Sequence, residues 1–387
     1  MASLSLSFTR TRTTWLGYFL LGYHTLLQAL VSAVVPFLRS ELQLNYTRAS
    51  LYMSANALGM VLAGITGARL ADRLGRRTAL WGAAGGTVLG LLALTLGQEQ
   101  AITLAGALGC GFTGSLCMVM VQAILSDEHG ERRAVALSEA NVAAGLGSLV
   151  APLLASGAVA AGLGWRAAPG LLPWLVVAAG LSFGRAPIPA PLSAGGVHSG
   201  PQRLGRVFWM LWGVLFLSVS VEWGVIFWSA DFLEKIAGFP RAVSVSLLGV
   251  YFVAAALGRF LASRLVRRLN ASSLLFGAMS LAALGILIVW LAPWPLIRLS
   301  GLFLCGLGTG NLFPLGVIET VSAASQAANL ASSRATLAAG LAIFCSPLIL
   351  GLAADQVGIR LAYGLTLPLL ALAAALAFWA FRRRAGF

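Results

Sequence analysis

One carboxylate lies deep inside an apolar run, Glu222 in Val221-Glu-Trp-Gly-Val-Ile-Phe-Trp228. Buried in lipid, a charged carboxylate costs several kcal/mol unless it faces water, finds a partner or takes up a proton. Ser218, Glu222 and Ser229 share one helical face at spacings of four and seven, so this polar stripe is expected to face a central cavity. Two readings follow: a protonation site that couples proton entry to solute movement, or a neutral carboxyl hydrogen-bonded for packing. In the first apolar run Tyr23, His24 and Gln28 stand together, with His24 and Gln28 one turn apart. Imidazole titrates near neutral pH, so His24 is either a second proton site or a satisfied packing group. Gln122, Asn141 and Asn311 are amides inside other apolar runs, and each is cheaper in a wet cleft than in lipid. They are candidate solute contacts. The aromatic stretch from Trp223 to Phe252 adds Trp223 and Tyr251 as cavity candidates, since aromatic faces stack on sugars and flat organic molecules alike.

Enzyme chemistry has little support in the sequence. There is no metal-ligand cluster, no phosphate-cradling Gly-Lys-Ser/Thr loop and no nucleophile motif. Cys110, Cys117, Cys305 and Cys345 lie within apolar runs and read as small packing residues. No metal and no cofactor is expected.

The elements that must position these side chains are membrane helices. The chain is 59% hydrophobic and only 10% charged, where a soluble domain carries about 25% charged residues. Long uninterrupted runs favour helices over a barrel. The net charge of +14 is spread over short loops rather than one face or tail, which argues against a nucleic-acid partner and leaves lipid headgroups as the natural neighbours. At about 20 residues per span, twelve spans fit, near 14–37, 47–69, 78–97, 101–125, 135–160, 167–184, 207–230, 244–263, 272–292, 296–318, 335–353 and 362–381. The first is too long for a signal-peptide core and reads as a helix. Arg39, Arg48, Arg166, Lys235, Arg241, Arg298 and Arg360 fall on one side, and the remaining arginines on the other. By the positive-inside rule both termini are expected in the cytoplasm, for an inner-membrane protein. Residues 185–206, rich in Pro and Gly, are expected to form a loose cytoplasmic linker between bundles at 1–184 and 207–387.

The two halves echo each other. Gly67-Ala-Arg-Leu-Ala-Asp72-Arg73-Leu-Gly-Arg76-Arg77 returns as Gly258-Arg-Phe-Leu-Ala-Ser263-Arg264-Leu-Val-Arg267-Arg268, 191 residues later. Thr113-Gly-Ser-Leu116, Gly145-Leu146, Pro152-Leu153 and Gly164-Trp-Arg166 return in the same order at offsets up to 196. Two copies of one membrane unit point to a transporter whose site lies between the halves. Without an ATP site, transport must run on a gradient or be facilitative.

The Gly67–Arg77 passage resembles the signature between the second and third helices of the major facilitator superfamily. That resemblance implies an all-α protein with two six-helix pseudo-symmetric bundles. Val221–Trp228 and Gly249–Arg259, with Asn311-Leu-Phe-Pro-Leu and Ser333-Arg-Ala-Thr-Leu-Ala-Ala-Gly340, are similar to the fucose:proton symporter-like branch. The first helix departs from its sugar-transporting members, offering His24 and Gln28 but no carboxylate. In the superfamily's arrangement helix two lies against helix eleven and helix five against helix eight. The resemblance therefore implies a cytoplasmic gate, with Asp72 meeting Arg334 and Glu139 meeting Arg264 or Arg267, flanked by Arg73, Arg76 and Arg77. The leading expectation is a proton-coupled secondary transporter for a small organic solute, monomeric, with import slightly preferred. The alternatives are a proton-driven exporter of amphipathic compounds and a non-transporting membrane sensor or scaffold.

Overall fold

A computed structural model describes residues 8–189, 204–324 and 327–384. Among them every regular element is helical. The first half contributes α1 (Arg12–Glu41), α2 (Tyr46–Leu74), α3 (Arg76–Leu96), α4 (Gln100–His129), α5 (Arg133–Ala160) and α6 (Ala167–Phe183). The second contributes α7 (Arg206–Lys235), α8 (Arg241–Ser246), α9 (Leu248–Leu265), α10 (Ala271–Leu291), α11 (Pro295–Thr309), α12 (Leu312–Ser322), α13 (Ala328–Gly364) and α14 (Thr366–Arg384). Among the described residues ten helical stretches are long and apolar enough to cross a membrane. One of them, Gln100–Ala160, contains both α4 and α5, and α6 is a shorter apolar helix. With α8–α9 and α11–α12 each counted as one span, all twelve expected spans are present.

The helix ends follow local chemistry. Thr11 opens α1 with a reciprocal capping box to Thr14, and the Asn45 side chain accepts from Arg48 N at the start of α2. Gly75, at φ +79°, alone joins α2 to α3, a turn that a residue with a Cβ would strain. In the second half α9 ends at Leu265 and α10 begins at Ala271, with Val266 in the place of Gly75. The turn there is four residues longer, which carries the offset between the halves from 191 to 195.

The halves use the same packing. The Gly90 backbone of α3 lies against Gly106 and Cys110 of α4; Gly285 of α10 lies against Gly301 and Cys305 of α11, each residue offset by 195. Small residues four apart let helix backbones approach closely where lipid supplies no hydrophobic drive. Both cysteines are buried free thiols, in the packing role expected for them. Gly164 and Gly358, another echo, both have positive φ.

The two bundles touch mainly at the end away from the chain termini, called here the far end. α2 packs along α13, α1 meets α7, and α5 meets α8 and α9. Among the described residues, every side-chain hydrogen bond and ion pair between the bundles lies on the far-end half. Arg39 Nη2 is 2.6 Å from Asp231 Oδ1. Asp355 of α13 accepts from Tyr46 N at 2.8 Å, Thr47 N at 2.9 Å and Thr47 Oγ1 at 2.6 Å. Its carboxylate therefore sits on the N-terminal turn of α2, where free N–H groups and the helix dipole favour an anion. Ser54 Oγ donates to Phe344 O at 2.7 Å. Further along the same stripe, Val61 still meets Gly340. Beyond it Ile65 of α2 is 63% exposed, and Leu337 of α13 is exposed as well. The zipper is closed at the far end and open at the terminal end.

The expected linker splits. Residues 185–189 are held against the first bundle: Arg77 donates to the carbonyls of Gly184 and Ala186, Thr13 to Pro187 O and Arg76 to Pro189 O. Residues 190–203 lie outside the described residues.

Candidate functional site

The charged centre of the second bundle begins with a proline. Pro314 has no N–H, so the carbonyl of Gly310, four residues earlier, has no helical partner, and the span breaks between α11 and α12. Arg259 of α9 fills the vacancy, its Nε donating to Gly310 O at 2.9 Å. One residue away, Tyr251 Oη and Thr309 Oγ1 are 2.7 Å apart. The break is thus held by two side chains of α9. Asn311 Nδ2 donates to Leu307 O at 2.9 Å.

Arg259 Nη2 lies 3.8 Å from Glu222 Oε1, an ion pair too long for a hydrogen bond. Their side chains are 55% and 9% exposed, so Glu222 is the buried member and Arg259 the accessible one. Exposed Leu257 and Leu261 mark the outer side of α9. Arg259 projects from the other side, toward Glu222 of α7. Glu222 points into its own bundle, and the expected stripe is corrected accordingly. Ser229 is buried against Tyr363 of α13, oxygens 3.1 Å apart, while Ser218 is buried with no partner among the described residues.

The first bundle presents a neutral counterpart. His24 Nδ1, Gln28 Nε2 and Ser32 Oγ, at successive steps of four along α1, are buried without hydrogen-bond partners among the described residues. Pro36 also frees the carbonyl of Ser32. Gln28 and Ser32 share the face of α1 that carries Arg39, which reaches α7. Ser115 Oγ of α4 and Asn56 Oδ1 of α2 are buried and unpartnered too. Each such group costs about 1–3 kcal/mol, and a row of them fits water or a ligand better than a dry core. His24 lies against Gly114 of α4, and Tyr23 Oη is 3.0 Å from Thr87 Oγ1 inside the bundle.

Gln122 and Asn141 are exposed on α4 and α5, and the Asn141 amide is spent on its own helix, donating to Leu137 O. Trp223 is half-buried. None of the expected gate pairs is formed among the described residues. Asp72, Arg264, Arg267 and Arg334 are exposed. Glu139 is engaged inside the first bundle, 2.5 Å from Arg10 Nη2 and 2.7 Å from Tyr18 Oη, and Arg76 is 2.5 Å from Asp127. Glu222 is also not the only buried acid. Asp231 is 1% exposed, and Glu319 is buried between Ser272 and Arg384. Sequence reasoning missed Arg259 because it was absorbed into the echo of the α2 motif. Its signal was a basic residue on one face with Tyr251, two turns away, beside a proline-broken span.

Twelve spans in two repeated bundles, broken spans and a charged pair inside the second bundle define a membrane-transporter architecture. The Major Facilitator Superfamily profile matches residues 14–326 and, in an overlapping match, 247–386. The chain belongs to that superfamily. An uncharacterised transporter of the same superfamily from Yersinia pestis is 27% identical over 184 residues, covering 47% of this chain and 48% of the relative. The chain thus matches about half the length of that curated relative. A bacterial homologue of the human lysosomal transporter Spinster, inward-facing and unoccupied, superimposes with TM-score 0.78 at 16% identity, over 98% of each chain. The nucleoside transporter NupG gives 0.76 at 11% identity, over 96% of this chain and 99% of its own. A peptide transporter with bound sulfate gives 0.74 at 17%, over 95% of each.

Proposed function

We propose that the chain moves a small polar organic solute by alternating access, with Glu222 binding the coupling proton. The observation that carries this reading is the Glu222–Arg259 pair: a buried carboxylate, a half-exposed guanidinium, and two bundles closed on only one side of them. The titratable and charged groups around Glu222 are Arg259 and Tyr251 of α9 and Cys305 of α11. Protonating Glu222 releases Arg259 for another partner, and this ties proton to solute. His24, the titratable group of the α1 row, would share the proton.

With both termini in the cytoplasm of an inner-membrane protein, the open end faces inward; import of a polar solute is slightly preferred over export. The bundles, 1–184 and 207–387, would rock as units in a monomer. Resemblance of Val221–Trp228 and Gly249–Arg259 to the fucose:proton symporter-like branch supports proton coupling and bears on Arg259 itself.

A second reading, proton-driven export of amphipathic compounds, draws on one feature. Trp209, Trp212 and Phe216 form an aromatic ladder on α7, with ring centroids 6.0 and 5.9 Å apart.

A thermal-shift screen across sugars, organic acids, nucleosides and dyes would identify a ligand, since binding to the native state raises its stability. In liposomes, a pH gradient should then drive accumulation of that ligand by wild type. Glu222→Gln should lose accumulation and keep exchange. Wild-type accumulation in that variant would overturn the proton role.

A further inference from the structure

We infer that the solute carries a carboxylate or similar anionic group, and that Arg259 is its anchor, held in competition with Glu222. This rests on the transport reading above and adds the chemical class of the substrate.

A guanidinium offers five N–H donors in a planar fork and cannot discharge itself by losing a proton. At Arg259 only Nε is spent, on the carbonyl that Pro314 frees. Among the described residues Nη1 and Nη2 make no hydrogen bond, and the Glu222 oxygen stands 3.8 Å away. The tie at Nε orients the plane of the fork, and more than half of the side chain is exposed. A fixed, half-satisfied fork at membrane depth suits a carboxylate, which it can grip with two parallel bonds. A cation would be repelled, and once Glu222 is protonated a neutral amide or hydroxyl would leave the guanidinium charge uncompensated.

Glu222 makes the site selective. Buried on its own helix, it cannot follow Arg259 outward, so it holds the guanidinium loosely until a better anion arrives. Among the described residues Glu222 has Arg259 as its ion-pair partner, and the first bundle's buried unpartnered groups include the neutral Gln28, Ser32 and Ser115, with His24. Their unpartnered atoms suit the polar, uncharged remainder of an organic acid.

The test uses purified full-length protein and four matched probes: lactate with lactamide, gluconate with gluconamide, nicotinate with nicotinamide, and benzoate with benzamide. At least one acid should stabilise the wild type and bind tenfold or more tighter than its amide. Arg259→Gln should weaken that acid at least tenfold, and Glu222→Gln should tighten it several-fold by removing the competitor. If Arg259→Gln does not fold, Arg259→Lys keeps the charge without the fork and should still bind several-fold more weakly. The inference is overturned if no acid binds, if the amides bind equally well, or if the Arg259 variants keep wild-type affinity. A neutral probe that binds and exchanges in liposomes despite Arg259→Gln would remove the anion and leave the transport reading standing.

Discussion

The two bundles share a scaffold and differ at their centres. Where α3 crosses α4 and where α10 crosses α11, the same small residues make the same close approach at one constant offset. At the polar centres the correspondence is lost. The first bundle holds a row of unpartnered neutral groups, whereas the second holds a carboxylate, a guanidinium and a broken helix. Backbone approach tolerates almost no change, because a Cβ there meets main chain that cannot yield. A polar interior tolerates any set that its solute satisfies. A duplicated fold can therefore keep its shape and still put charge recognition in one half.

The largest effect should come from the shared scaffold. Gly90→Leu and Gly285→Leu each force a branched side chain into facing backbone, overpacking that costs roughly 3 kcal/mol or more. Both variants should lose their monodisperse peak on size-exclusion chromatography. Collapse of only one would break the symmetry.

At the centres the halves should respond unequally. Glu222→Gln should reduce gradient-driven accumulation at least tenfold. Gln28→Ala should weaken solute affinity about fivefold, the value of roughly 1 kcal/mol for one hydrogen bond, with coupling intact. His24→Gln should weaken affinity as Gln28→Ala does and also lower gradient-driven accumulation part-way, since His24 shares the proton. Loss of coupling as complete as in Glu222→Gln would move the proton site into the first bundle.

The two ends make a smaller contrast. Asp355→Asn removes a charge from the first turn of α2 and should weaken far-end closure by about 1 kcal/mol. Thiol labelling of a cysteine at the far end of the interface should rise several-fold. Smallest is the terminal-end gate, where exposed pairs contribute about 1 kcal/mol or less. Asp72→Asn and Arg334→Gln should each raise labelling from the terminal side slightly, and the charge-swapped double variant should partly reverse it. No reversal would leave these residues a role in topology alone.

Much of this architecture was legible before any coordinates. Apolar runs marked the spans, because in lipid every backbone group must be satisfied within a helix. The repeat marked the halves, because close packing preserves small residues. Glu222 stood out by its cost in lipid. Arg259 did not, since its role depends on a carbonyl freed 51 residues later in the chain by Pro314. The far-end latch was also missed. Asp231 and Asp355 sit near span ends, where a charge is cheap and carries little signal, and only the tertiary fold sets them on Arg39 and the start of α2.

The central claim is that the two bundles close alternately around the Glu222–Arg259 pair. Spin-label distances test it without a known solute, using Ile65→Cys with Leu337→Cys at the terminal end and Arg48→Cys with Val357→Cys at the far end. The latch is weakened by Asp231→Asn with Asp355→Asn. In that background the terminal-end distance should gain a shorter population while the far-end distance gains a longer one. Unchanged distributions at both ends, or a change in the same direction at both, would contradict alternating closure.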